Sequence, residues 1–171
     1  MAQLANHAPA REAWRMRGLT ETERAALSPG LADALDAAGA RPRIVPRASP
    51  LAHVVRLWRG STPIMALGQT IWWQGAPEDL SRPGLERQMS ILQHELQHVL
   101  EFAGRDLSFV GYALLPFNWT YRYRLTPQTR WRDLGAEQRA QLVQDYWLAA
   151  RRLPPGDSRL GDFRRLIPWA V

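Results

Sequence analysis

At 171 residues, 46% of them hydrophobic and eight of them tryptophan, the chain fits one domain over residues 1–171 with a sizeable core, and nothing in it calls for a second. It has no cysteine, which excludes disulfides, thiolate metal sites and cysteine nucleophiles together and leaves histidine, aspartate and glutamate as the available metal ligands. All 22 basic residues are arginine and the formal net charge is +6, yet the arginines are spread over every segment with no accompanying binding motif, so nucleic acid is not expected as a partner.

The first 20 residues lack a signal-peptide hydrophobic region, and no apolar run approaches the ~18 residues of a membrane span. No membrane partner is expected, and the product is expected to be soluble and cytoplasmic as synthesised. Residues 1–18 read as a loose N-terminal arm. Thr20 and Glu23 then form a capping box that opens a short helix through Leu27. Ser28-Pro29 restarts a second helix, with Ser28 as cap and Leu31, Ala34, Leu35 and Ala38 as its apolar face, and Gly39 ends it.

From Arg41 the pattern changes to short β-branched runs. Arg43–Val45 and His53–Trp58, bounded by prolines at 42, 46 and 50, read as short or edge strands. Thr62–Leu67 and Thr70–Gln74, separated by Gly68-Gln69, read as a hairpin whose exposed strand can either take up a substrate backbone or merely cover a helix. Residues 76–84 form a loop into the central helix, Leu85–Gly104, for which Gly104 is expected to supply a left-handed cap. Residues 105–134 are irregular apart from the alternating stretch Trp119–Leu125, which suits a strand or an extended lid. A second long helix follows over about Gly135–Leu153, with Asp133 as a candidate cap. The tail, residues 157–171, holds a short amphipathic piece around Phe163–Trp169.

The central helix carries His94, Glu95 and His98 in the order H-E-x-x-H. Positions i and i+4 lie one turn apart on one face, so two imidazoles can reach one metal while Glu95 stands beside them. Leu85, Met89, Leu92, Leu96, Val99 and Ala103 form an apolar stripe, with Ile91 and Phe102 on another side, so the helix reads as buried. Charged or polar groups there need partners, and a metal suits this trio; a satisfied pair of core histidines is the bland alternative.

Two histidines leave a catalytic site one protein ligand short. Gly104 stands where a histidine-rich metzincin would carry its third histidine, and Glu101 where it would carry glycine, which excludes that pattern. Glu101 shares the histidine face but lies about 10 Å from His94 along the helix, near enough to hydrogen-bond close to the site and too far to share its ion. His53 and Asp106 are ligands by type only. Glu137, near the start of the second helix, is the better candidate, because a carboxylate from a separate helix completes a His2Glu set; the bland role for it is to complement its helix dipole.

The stretches His94-Glu95-Leu96-Gln97-His98-Val99, Tyr121-Arg122-Tyr123-Arg124-Leu125 and Gly135-Ala136-Glu137 through Asp145-Tyr146-Trp147, with Arg17–Glu23 upstream, resemble a group of small bacterial predicted zinc metallopeptidases. The group is labelled Vgr-related because similar segments accompany type VI secretion spike and Rhs-type proteins. The resemblance implies a minimal gluzincin-like (zincin-like) α+β domain, in which a small, mostly antiparallel sheet packs on the HExxH helix and a second ligand-bearing helix. It implies one zinc ion held by His94, His98 and Glu137, with Glu95 as general base. It also makes Tyr121, Arg122 and Tyr123 candidates for stabilising the transition state. Leu100-Glu101 replaces the group's Trp-Gln, Arg139 replaces a glutamine, and Gln141 replaces a glutamate one turn from Glu137, where it can orient that ligand.

These features together predict a zinc-dependent peptidase acting on a peptide or protein substrate. A metal-stabilised interaction module serving a secretion-system or toxin partner, with export by that system, is the alternative from another class.

Overall fold

Thr20 and Glu23 close the capping box that their spacing predicts: the Thr20 hydroxyl accepts from the Glu23 N–H at 3.0 Å and the Glu23 carboxylate accepts from the Thr20 N–H at 2.9 Å. In the computed structural model, which describes residues 15–52, 56, 60, 62–106, 108 and 120–170, they open helix α1, Glu21–Ala25. Glu23 is fully buried, and both its oxygens are gripped by the Arg17 guanidinium at 2.7 Å while the Leu80 N–H donates to it at 2.9 Å. Arg17 also pairs with Ile44 as an antiparallel bridge. The C-terminal end of the expected loose arm is therefore anchored, and residues 1–14 lie outside the described residues.

Helix α2, Leu31–Ala37, begins two residues later than a Ser28 cap predicts, with Gly30 at the cap position. Gly30 sits at φ +83°, and a Cβ there would fall 1.9 Å from the Trp169 carbonyl oxygen, so only glycine fits. Ser28 is buried instead, its N–H donating to Gln93 Oε1 on the central helix at 3.0 Å.

Strands β1 (Arg43–Val45), β2 (Met65–Leu67) and β3 (Thr70–Trp72) form a sheet in the order β1-β3-β2. β2 and β3 are the expected antiparallel hairpin, with Gly68 at φ +60° in the turn. β1 pairs with β3 in parallel, so the sheet is mixed and not mostly antiparallel. The expected strand His53–Trp58 lies mainly outside the described residues, but Arg56 is helical and its carbonyl accepts from the Gly60 N–H at 2.9 Å. Upstream, Pro50 and Leu51 form a turn in which Ser49 Oγ accepts from the Ala52 N–H at 3.0 Å, and Ala52 is helical.

The central helix, α3, runs Glu86–Ala103 and packs its Met89, Leu92, Leu96 and Val99 stripe, 0–2% exposed, into a core with Leu31, Leu35, Ile44, Ile71 and Trp147. Its end differs from expectation. Gly104 is at φ −72°, and the left-handed residue is Arg105 at φ +63°.

The second long helix, α4, spans Ala136–Arg152 and lies against α3. Gly135 is its cap, with Gln138 Oε1 accepting from the Gly135 N–H at 2.9 Å. Asp133 closes a 3-10 turn, Trp131–Asp133, and pairs with Arg130 instead of capping α4. The tail forms a third packed helix, α5 (Ser158–Leu166), capped by Asp157. Leu160, Leu166 and Ile167 bury against Leu142, Val143 and Tyr146 of α4, while Trp169 reaches Gln97 on α3 at 3.2 Å. No helix among the described residues is long and apolar enough to cross a membrane.

Candidate metal centre

His94 and His98 stand one turn apart on α3 with ring centroids 5.0 Å apart, and α4 brings Glu137 against both. His94 Nε2 lies 3.1 Å from Glu137 Oε2 and His98 Nε2 lies 3.5 Å from Glu137 Oε1. One ligand atom from each residue falls within 4.8 Å of the others, and all three residues are buried at 3–6% exposure. Donors around a tetrahedral ion at ~2.0–2.1 Å stand about 3.3 Å from one another. The nitrogen-to-carboxylate spacings fit an ion of that kind, and a two-nitrogen, one-carboxylate set suits zinc better than calcium or magnesium. Burial pushes the Glu137 carboxyl up, but hydrogen bonds and charge from His94 and His98 outweigh it and hold it well below the usual carboxylate range. The ligand is thus kept anionic, which metal binding requires.

Glu95 sits beside the trio at 5% exposure. Burial pushes it up to about 7, Glu137 adds to the rise, and His94 and the backbone N–H of Ala66 on β2 oppose it. Its Oε2 has no hydrogen-bond partner among the described residues. A carboxyl at that value can both take and release a proton near neutral pH. A folded-state value above the unfolded one means the folded protein binds more protons, so stability falls as pH rises through the window between them. For Glu95 that window runs from 4.5 to about 7. Metal-free Glu95→Gln should therefore match the wild type near pH 4.5 and exceed it at pH 8 by on the order of 2–3 kcal/mol; urea melts of the two proteins across that range check it.

The structure sorts the other expected residues. Tyr121 joins the site: its ring lies over His94 at 5.9 Å with planes 24° apart, and it is 41% exposed. Tyr123 turns to α4, its O–H donating to Asp145 Oδ2 at 2.6 Å. Arg122 contributes its carbonyl, which accepts from Gln138 Nε2 at 2.6 Å. The stretch holding them has no strand pairing among the described residues, and Trp119 lies outside them. Gln141 donates to Asp145 Oδ1 at 2.9 Å, a bond that serves Asp145 and not Glu137. Glu101 is buried and accepts from Gln97 at 2.8 Å and from Arg139 at 2.7 and 2.9 Å, bracing the two ligand helices. Asp106 is an exposed residue past the end of α3, and His53 lies outside the described residues. Asp145 and Gln138 were not singled out by the sequence, and Arg139 was noted only as a departure from the resembled pattern; the i, i+4 spacing of Gln141 and Asp145 on one helix was the available signal for the first.

Fold and site together define an α+β protein with a buried His2Glu group able to hold one metal ion. No protein-family model and no curated protein matches the chain. Among solved structures it is similar to the effector domain of Pseudomonas aeruginosa VgrG2b, with a TM-score of 0.61 and 23% identity over 94% of this chain and 85% of that one. At that identity the likeness is one of fold alone.

Proposed function

We propose that the chain is a zinc-dependent peptidase of the zincin type, with His94, His98 and Glu137 as ligands and Glu95 as general base. The observation that carries this reading is the place of Glu95: a carboxyl only 5% exposed beside the ligand trio, with its Oε2 unpartnered among the described residues, which a purely structural metal site does not need. Bound zinc supplies Lewis acidity, polarising a carbonyl and making water acidic near neutral pH. Glu95 takes the proton of the attacking water as its oxygen bonds to the carbonyl carbon. It then passes that proton to the amide nitrogen as the C–N bond breaks, releasing a carboxylic acid and an amine.

The sheet supports the same reading. Ala66 faces Ile71 one residue beyond the Leu67–Thr70 pair that flanks the two-residue turn. Flanking pairs exchange the ladder hydrogen bonds, so Ala66 turns its N–H and C=O outward, where the N–H meets Glu95. No described strand pairs with β2 on that side. An extended peptide added to this edge runs past the general base.

A second reading has its own support. The ligands are only 3–6% exposed, and the similar solved structure is an effector domain, consistent with a metal-stabilised module that works with a secretion-system or toxin partner and is exported by it. Zinc-loaded protein incubated with a diverse peptide mixture separates the two. Cleavage that a chelator abolishes and added zinc restores supports the peptidase; one zinc per chain with every peptide intact selects the module.

A further inference from the structure

Segment 120–125 has no regular secondary structure, yet α4 holds it at three points. The Tyr123 O–H donates to Asp145 Oδ2 at 2.6 Å, Gln138 Nε2 donates to the Arg122 carbonyl at 2.6 Å, and the Tyr123 and Leu125 side chains pack against the cluster around Leu142 and Tyr146. Asp145 is fixed in turn, since Gln141 Nε2 donates to its other oxygen at 2.9 Å. Burial, and then Asp145, raise the Tyr123 phenol well above its ordinary value, so this charge-assisted bond keeps its proton. At the head of the segment, half-exposed Tyr121 lies over His94.

One helix therefore carries both Glu137 and, about two turns further on, the anchor for the segment that bears Tyr121. Two sequence stretches far apart in the chain, Tyr121–Leu125 and Asp145–Trp147, meet in the Tyr123–Asp145 bond. Nothing in hydrolysis at Glu95 calls for that bond, and neither does helix stability, because the partner is a loop residue. Its geometric effect is to fix where Tyr121, two residues before Tyr123, stands.

We propose that residues 120–125 form a strap that sets Tyr121 as a substrate-contacting wall over the metal centre, with Asp145 and Gln138 as positioning residues that act through it. The substrate-contact half rests on the peptidase reading; the strap itself does not. An aromatic side chain fixed on a short tether offers a large contact area at little entropic cost.

Trypsin cuts after arginine, and Arg122 and Arg124 are both exposed within the strap. In Tyr123→Phe and Asp145→Asn, nicking after these two residues should run about tenfold faster than in the wild type, the factor expected of a lost charge-assisted hydrogen bond. The double variant should be no faster than either single one. Nicking confined to these sites, with the other arginines spared, separates strap release from global unfolding, and Gln138→Ala gives an independent release of the same strap. On a peptide that the wild type cleaves, the same variants should lose about tenfold in kcat/KM with zinc content unchanged. If the wild type cleaves no peptide, the peptidase reading fails, and zinc loss to a chelator becomes the test of the strap, expected to quicken in the variants because Tyr121 no longer shields His94. Nicking rates equal to wild type in all three variants overturn the strap. Faster nicking with unchanged kcat/KM, or with unchanged zinc loss in a protein that cleaves nothing, overturns the role of Tyr121 at the site.

Discussion

Arg139→Ala should lose about 3–5 kcal/mol of stability, the usual cost of stranding one member of a buried ion pair. Glu101 is 3% exposed, and Arg139 holds it with Nε at 2.7 Å and Nη2 at 2.9 Å. The same guanidinium donates to the Leu134 carbonyl at 2.8 Å and lies over the Trp131 ring at 5.8 Å. Taking it away leaves a buried carboxylate with Gln97 as its one remaining partner among the described residues. In a chain of this length the loss is about 10 °C or more in melting temperature. The pair replaces two glutamines of the pattern that the sequence resembles. The double substitution Glu101→Gln with Arg139→Gln should therefore recover most of the loss, because a neutral amide pair carries no stranded charge. Denaturant melts of the two proteins decide it, and a loss under about 1 kcal/mol in Arg139→Ala shows that the pair does not brace the helices. The brace lies three residues from His98 on one helix and two from Glu137 on the other, so the same variant should also bind metal more weakly.

Glu95→Gln is the second large effect. Glutamine keeps the size and one hydrogen-bonding oxygen of the side chain but cannot take a proton at neutral pH. A residue that acts as base and then as acid contributes about 10²–10⁴-fold, so kcat should fall by about three orders of magnitude while zinc content stays at that of the wild type. His94→Ala should instead lose metal and activity together. A Glu95→Gln protein that cleaves as fast as the wild type assigns proton transfer elsewhere.

Much of the site was legible in the sequence because its parts are local. HExxH is a one-turn spacing on a strongly patterned helix, and the bounds of α3 and α4 lie within a residue or so of those predicted from apolar stripes, capping signals and the Pro154-Pro155-Gly156 stop. Glu137 was reachable because a His2Glu set needs a carboxylate from a separate helix and the second long helix offers one near its start, and the structure brings it against both histidines. The rest was set by contacts between segments distant in the chain. Gly30 caps α2 because the Trp169 carbonyl leaves no room for a side chain, a constraint lying about 140 residues away along the chain. β1 pairs with β3 in parallel, across a connection in which Ala52 and Arg56 are helical and no local pattern announces the choice of neighbour. Helix α5 is short and charged outside, and only its docking on Leu142, Val143 and Tyr146 makes it stable. Glu101 was placed near the metal by helix geometry and Gln141 by the resemblance together with its one-turn spacing from Glu137, but they bond to Arg139 and Asp145 in the folded chain.

The participation of Glu137 in the site is tested most directly by titrating zinc into metal-free wild type and Glu137→Ala protein and reading stoichiometry and affinity by calorimetry. One ion per wild-type chain is expected, with affinity lowered by at least about a hundredfold in the variant, since loss of a direct ligand should exceed the 10–100-fold cost of losing a supporting residue. Equal stoichiometry and affinity in the two proteins, or no uptake by the wild type, contradicts a centre built from His94, His98 and Glu137.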